Sequence, residues 1–273
     1  MSILSGEKFE LKLLPSKAVA LHEEFEGNRS SRLVDRFKDE HVLYNPLIVA
    51  KYNESHILID GANRFEALKQ LGCKAILAQL VDYASEEVVL KTWYHYVSFM
   101  TMAELTEFAS SAGLKLKKIQ RTKNTASACD LLVYSSEGEA VSVTLDDDLK
   151  TMLSQLAAIN RYYDEKYSYT RIDSDTDISD VKTLSPDDGL LFVFPCLKKE
   201  DIIKIAGFDQ KLPAGISRHL IPNRVLHIKI LIDALNTDEN IDKRNEELQK
   251  HIQHKIDSKK VRLYREPILV FDE

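Results

Sequence analysis

Asp60, Gly61, Ala62, Asn63 and Arg64 follow the apolar run Ile57-Leu58-Ile59 and precede Phe65, Leu68 and Leu71 at helical spacing. This is the pattern of a strand that turns sharply at glycine into a helix, with Gly72 at the position of a C-terminal glycine cap. The first-turn N–H groups of such a helix lack intrahelical partners and its dipole is positive at that end, so an anion is favoured there and Arg64 adds a formal charge. A nucleotide or a phosphorylated product is the chemistry this allows. On spacing alone an ordinary turn, with Asp60 capping the helix and Arg64 pairing with a surface carboxylate, is the commoner reading, because an acidic residue followed by glycine is frequent at helix starts.

Other residues could also carry chemistry. His22, Glu23, Glu24 and Glu26 place three carboxylates beside an imidazole in five residues, offering a general base or simply a solvated acidic helix start. The loop Leu212-Pro213-Ala214-Gly215-Ile216-Ser217-Arg218-His219 presents a hydroxyl, a guanidinium and an imidazole in succession, suited to carboxylate or phosphate recognition or to a turn feeding a strand at Val225. Trp93 and His95 are expected on a helix from Glu86 to Val97, lining a ligand cleft or filling a core. Asp173, Asp175 and Asp177 alternate like the start of a calcium loop, but Ile178 and Leu184 stand where glycine and glutamate are required, which excludes an EF-hand. Lys115, Lys117, Lys118, Arg121 and Lys123 read as a solvated edge.

The elements that must position these groups alternate. A strand through Phe9, Leu11 and Leu13 is followed by a helix through Leu33, Phe37 and Val42 that stops before Asn45-Pro46. Two strands, Pro46 to Tyr52 and His56 to Asp60, flank a polar turn, and Ala75 to Val81 forms a further strand. Beyond a helix through Met102, Leu105 and Phe108, a hairpin joins Leu131–Tyr134 to Ala140–Leu145, and Asp146 is expected to cap a helix through Met152 and Leu156. A charged loop then runs to Asp188. Strands at Leu190–Phe194 and Val225–Ile232, helices at Lys199–Ile205 and Glu239–Ile256, and a strand-like last fifteen residues complete the pattern. No internal repeat emerges.

At 273 residues with 44% hydrophobic composition the chain has material for one large or two modest cores. The net charge of -6 argues against a protein whose main task is gripping nucleic-acid backbone. Cys73, Cys129 and Cys196 are far apart and form no CxxC pair, so neither a disulfide framework nor a zinc ribbon is indicated, and reducing cytoplasm is expected. No export signal or membrane-spanning run is visible.

Taken together the pieces resemble the free L-serine kinases built on the ParB/sulfiredoxin-like fold, of the kind encoded with the siderophore staphyloferrin B. The residues that carry the resemblance are Leu21-His22-Glu23 with Phe25-Glu26, the Pro46-Leu-Ile-Val strand, Asp60-Gly61-x-x-Arg64, Leu71-Gly72-Cys73-Lys74, Thr92-Trp93-x-His95, Phe194-Pro195-Cys196-Leu197, Pro213-Ala214-Gly215-x-x-Arg218 and the ending Ile268-Leu-Val. The resemblance implies a mixed α/β fold, with a ParB/sulfiredoxin-like nucleotide-binding domain over residues 1–100 and a second α/β domain over 101–273 that completes the serine site. It implies transfer of the terminal phosphoryl group of ATP, or of ADP, to L-serine with Mg2+, giving O-phospho-L-serine for 2,3-diaminopropionate synthesis. Glu23 is then the general base and Asp60 the second catalytic residue, arranging metal and phosphates. Gly61, Ala62, Asn63 and Arg64 form the phosphate cradle, and Trp93, His95, Ser217 and Arg218 hold serine or close over it. No membrane or nucleic-acid partner is expected, and a homodimer is left open. Relatives usually carry histidine before the arginine, where this chain has Asn63, which can hydrogen-bond a phosphate but cannot carry an imidazole's charge. Sulfiredoxin's catalytic cysteine would fall at Ala62. The competing expectation is a non-catalytic ParB-like nucleotide-binding regulator acting on DNA or a partner.

Overall fold

In a computed structural model the described residues are 9–53, 55–120 and 130–264. Arg121, Lys123, Cys129 and most of the strand-like ending, including Ile268-Leu-Val, lie outside them. The elements run β1 (Glu10–Pro15), β2 (Val19–Leu21), α1 (Gly27–Glu40), β3 (Val42–Leu43), β4 (Leu47–Tyr52), β5 (Ser55–Asp60), α2 (Ala62–Gln70), β6 (Ala75–Asp82), β7 (Val89–Ser98), α3 (Met102–Ser111) and β8 (Lys115–Lys118). They continue as β9 (Asp130–Ser135), β10 (Ala140–Thr144), α4 (Leu149–Asp164), β11 (Tyr169–Asp173), β12 (Gly189–Val193), α5 (Lys199–Ala206), β13 (Ser217–Leu220), β14 (Ile230–Leu231) and α6 (Ile241–Asp257). The mixed α/β class expected from the sequence is what forms.

Two compact units divide the chain, each discontinuous in sequence. The first comprises Met1–Ala20, Gly27–Val88 and Ile221–Glu273, and the second Leu21–Glu26 and Val89–Leu220. The expected boundary near residue 100 assumed two continuous halves.

In the first unit a sheet of order β1-β6-β4-β5-β2 carries the helices. Leu47 to Ala50 and Ala75 to Ala78 are almost wholly buried, as befits central strands with apolar runs rather than alternation. β4 pairs antiparallel with β5 and places Ile48 opposite Asp60, so the residues just before β4 lie beside the start of α2. The outer edge of β1 is closed by side chains of α6. Asn245 accepts from the Leu13 N–H at 2.7 Å and donates to the Leu13 carbonyl at 3.0 Å, and Gln249 donates to Leu11 O at 2.7 Å. These amides take the backbone groups of Leu11 and Leu13 that a further strand would pair with.

In the second unit the ten-residue strand β7 is shared. Its first half pairs with β13, with Ser217 opposite Thr92. Its second half lies between β11 and β12, and the sheet continues through β9, β10 and β8. One face packs Leu131, Val133, Leu190 and Phe192 against Leu153, Leu156, Ile159 and Tyr163 of α4. The other buries Tyr96, Leu132, Tyr134 and Leu191 around Val181.

Several sequence expectations are corrected. Residues 89–98 form a strand, not a helix: the i, i+4 spacing of Val89, Trp93 and Val97 mimicked a helix face, but the density of β-branched and aromatic residues and burial on both sides decide for the sheet. Val42 has left α1 and pairs in β3 with Leu231. Asp148, not Asp146, caps α4 by accepting from Thr151 N at 2.9 Å, while Asp146 accepts from Asp148 N. The charged loop before Asp188 contains β11. Of the strand expected at Val225–Ile232 only Ile230–Leu231 pairs, whereas Ser217–Leu220, expected as loop, is a strand.

Candidate functional site

The segment Leu21–Glu26 enters the second unit alongside the residues before β13. Glu23 and Leu212 form a parallel bridge, with Leu212 N donating to His22 O at 3.0 Å and Glu24 N to Leu212 O at 2.8 Å. This fixes the backbone of Glu23 and turns its side chain to the Gly215 turn. There Oε1 accepts from Ile216 N–H at 3.0 Å, Ser217 N–H at 2.9 Å and the Ser217 hydroxyl at 3.1 Å. Burial pushes the Glu23 carboxyl up to about 7, against the opposing pull of the Ser217 amide and the Arg171 guanidinium. A carboxylate poised near neutrality is suited to general-base work. His22 Nε2 lies 2.8 Å from Ser217 Oγ, and its ring meets His219 edge-on at 5.4 Å.

Strand alternation puts Trp93, His95 and Val97 on one face of β7. Trp93 N donates to Ile216 O at 2.8 Å, and the Thr92 hydroxyl donates to the same oxygen at 2.9 Å. The Arg218 guanidinium lies over the Trp93 ring, 4.3 Å from its centroid, and pairs with Asp173 of β11. His95 is buried at 0% exposure with Nδ1 2.6 Å from Tyr163 Oη and Nε2 2.8 Å from Gly215 O. Burial lowers it to about 4, opposed by the bond to Gly215, so it is neutral. Arg171, also of β11, pairs with Glu26. It passes so close to Gly215 (φ +79°) that a Cβ there would overlap the guanidinium.

In the first unit, Gly61 adopts φ +100° and opens α2 with no side-chain cap. Asp60 therefore does not cap the helix. Its Oδ2 accepts from Arg64 Nη2 at 2.8 Å, while Arg64 Nη1 donates to Asn45 O at 3.0 Å and Pro46 O at 2.8 Å. Arg64 thus ties the turn to the start of β4. A second guanidinium, Arg224, stands 3.4 Å from Asp60 Oδ2 and is 40% exposed. It is placed by buried Gln79 of β6, which donates to Asn223 O at 3.0 Å and accepts from Val225 N at 2.8 Å. Ala62 and Asn63 occupy the first turn, partly exposed. The combination of a helix N-terminus, Arg224 and one carboxylate can receive a phosphate chain. No group of three or more potential metal ligands occurs among the described residues; Mg2+, which takes few protein carboxylates and keeps phosphate and water ligands, does not require one, and the carboxylate at this turn is Asp60, whose Oδ2 faces Arg64 and Arg224.

Glu23, Trp93, His95, Ser217 and Arg218 are brought together in the second unit around one turn, while Asp60 to Arg64 form a separate cluster in the first. Sequence reasoning missed Arg171, Tyr163, Arg224 and Gln79. Arg171 stood in a tyrosine-bearing alternation that could have signalled a strand. Nothing local marks Gln79, whose role depends on a contact 144 residues away.

No protein-family model matches the chain. An ATP-dependent L-serine kinase of Staphylothermus marinus is 25% identical over 226 residues, 77% of this chain and 83% of that protein. The ATP-dependent L-serine kinase SbnI of Staphylococcus aureus is 25% identical over 234 residues, 85% and 86% of the two chains. A C-terminally truncated form of SbnI has a solved structure that superposes with a TM-score of 0.72, at 23% identity, over 91% of this chain and 96% of that one. A free serine kinase solved with AMP superposes with a TM-score of 0.69, at 15% identity, over 84% and 95%. The resemblance to L-serine kinases read from the sequence is borne out by these relatives, and the fold is theirs. No described helix is long and apolar enough to cross a membrane.

Proposed function

We propose that this chain is a cytoplasmic free L-serine kinase that transfers the terminal phosphoryl group of ATP to L-serine, giving O-phospho-L-serine for 2,3-diaminopropionate and siderophore assembly. The observation that carries the reading is Glu23: a carboxylate raised to about 7 and anchored through one oxygen by three donors. Such a group can take the proton of the serine hydroxyl as that oxygen attacks the γ-phosphorus. The new O–P bond forms, the bond to the bridging β-γ oxygen breaks, and ADP leaves with the electron pair. The protein's part is positioning and charge neutralisation.

In this reading the first unit is the nucleotide-binding part. The α2 N-terminus with Gly61, Ala62 and Asn63 receives phosphate oxygens, Arg224 supplies a charge, and Arg64 holds Asp60 and the turn in place. Asp60 would hold Mg2+, which when bound neutralises developing phosphate charge. The second unit takes the amino acid, with Arg218 and Trp93 beside the Glu23 turn. The names of the Staphylothermus and Staphylococcus relatives favour ATP as the donor.

Purified protein incubated with L-serine, Mg2+ and either ATP or ADP is expected to yield O-phosphoserine by mass spectrometry, with ATP the better donor. Absence of product, or undiminished product from Glu23→Ala, would sink the reading. Nucleotide binding without serine-dependent turnover would point instead to a non-catalytic regulator.

A further inference from the structure

His95 and Tyr163 are wholly buried polar side chains that the phosphoryl-transfer steps leave without a role. Their hydrogen bonds admit one arrangement of protons. Asn160 Nδ2 can only donate, and it lies 2.8 Å from Tyr163 Oη, so the phenol accepts there and its own proton goes to its other neighbour, His95 Nδ1. Nδ1 is then an acceptor. The ring is neutral, so its proton sits on Nε2, where it meets Gly215 O at 2.8 Å. Each group in the series from Asn160 to Gly215 fixes the next.

We infer that Tyr163 and His95 are positioning residues for the Glu23 carboxylate, acting through the Gly215 carbonyl rather than by touching serine. The inference rests on the kinase reading of Glu23. Gly215 is in the left-handed region, and the two amides that follow it, of Ile216 and Ser217, are the ones that hold Glu23 Oε1. The turn is pinned on one side by His95 at the Gly215 carbonyl. On the other, Trp93 N–H and the Thr92 hydroxyl take the Ile216 carbonyl. Losing either pin lets the amides drift from the carboxylate. The charged groups that face this network are Arg171 from β11 and its partner Glu26, and the titratable ones are His22 and His219 around Ser217 and Tyr169 against the His95 ring. Plain core packing is the competing account, since His95 also stacks on Tyr169 at 4.5 Å and meets Phe194 edge-on at 5.0 Å. Packing alone would not couple Tyr163 to the titration of Glu23.

The test is Tyr163→Phe, which deletes one oxygen, with His95→Leu and His95→Gln beside it. The Glu23 carboxyl is titrated by 13C NMR, and kcat and both KM values are measured against pH. Hydrogen bonds to the ionised carboxylate favour that form, so Tyr163→Phe and His95→Leu are expected to raise the midpoint above about 7. A rise of one pH unit from about 7 should lower kcat at pH 7 about fivefold by reducing the ionised fraction, with nucleotide KM unchanged. His95→Gln, which keeps a donor and an acceptor, should shift the midpoint less than His95→Leu. A midpoint in Tyr163→Phe equal to wild type would overturn the inference, even if activity fell. A wild type that makes no O-phosphoserine would count against the kinase reading alone, and the NMR midpoints would still decide the positioning role.

Discussion

Ser217 gives both its backbone N–H and its hydroxyl to a single oxygen of Glu23, at 2.9 and 3.1 Å. With the Ile216 amide on the same atom, Oε1 is the anchored oxygen, and in the proposed kinase reaction the proton transfer falls to Oε2. Burial of the carboxyl, not a neighbouring anion, is what raises it to about 7.

Replacing Glu23 by Gln preserves shape and removes the base, so kcat is expected to fall at least about hundredfold while nucleotide affinity holds. Initial rates and nucleotide titration measure the two separately. The same variant should be more stable than wild type at pH 8, by about 1–3 kcal/mol, because it relieves the buried charge. Denaturant melts at pH 5 and pH 8 check this.

The sign of the pH effects follows from the direction of the shift. Glu23 has its folded-state pKa raised from 4.5 to about 7, so its favourable contribution to stability is fully present below about 4.5 and is lost as pH rises through about 7. Activity runs the opposite way. The acid limb of kcat should rise through about pH 7, and a rate already at its plateau at pH 5.5 would exclude Glu23 as the base.

Arg224 stands beside Asp60, and among the described residues no backbone carbonyl holds its guanidinium as Asn45 and Pro46 hold that of Arg64. Arg224→Met should therefore raise the nucleotide KM about five- to tenfold, the worth of one charge-assisted contact, and leave the serine KM unchanged. Arg64→Met should instead lower the melting temperature, since it removes the ties to Asn45 and Pro46.

Gly215→Ala meets two obstacles at once, the left-handed backbone and the Arg171 guanidinium. A loss of about 1–3 kcal/mol in stability is expected. Because the displaced turn carries the Ile216 and Ser217 amides, kcat should fall as well. A variant of normal stability and full activity would show that the turn tolerates another conformation.

The sequence by itself determined the junction at Asp60-Gly61 and the helix from Ala62, because a strand period changing to a helical one across a glycine is a local signal. It also marked Glu23, Trp93, Ser217 and Arg218, through residue types whose combination is specific to a known group of kinases. It misread β7, since an i, i+4 spacing of Val89, Trp93 and Val97 is shared by helix and strand, and burial on both faces of a sheet exists only after the chain has paired. Only the tertiary structure decided what surrounds the marked residues: that Arg64 braces its own turn, that Gln79 holds Asn223 and Val225, the neighbours of Arg224, across 144 and 146 residues of chain, and that His95 lies between Gly215 O and Tyr163 Oη. Those outcomes depend on desolvation and on hydrogen bonds between segments remote in sequence, and neither quantity is written in any one of those segments.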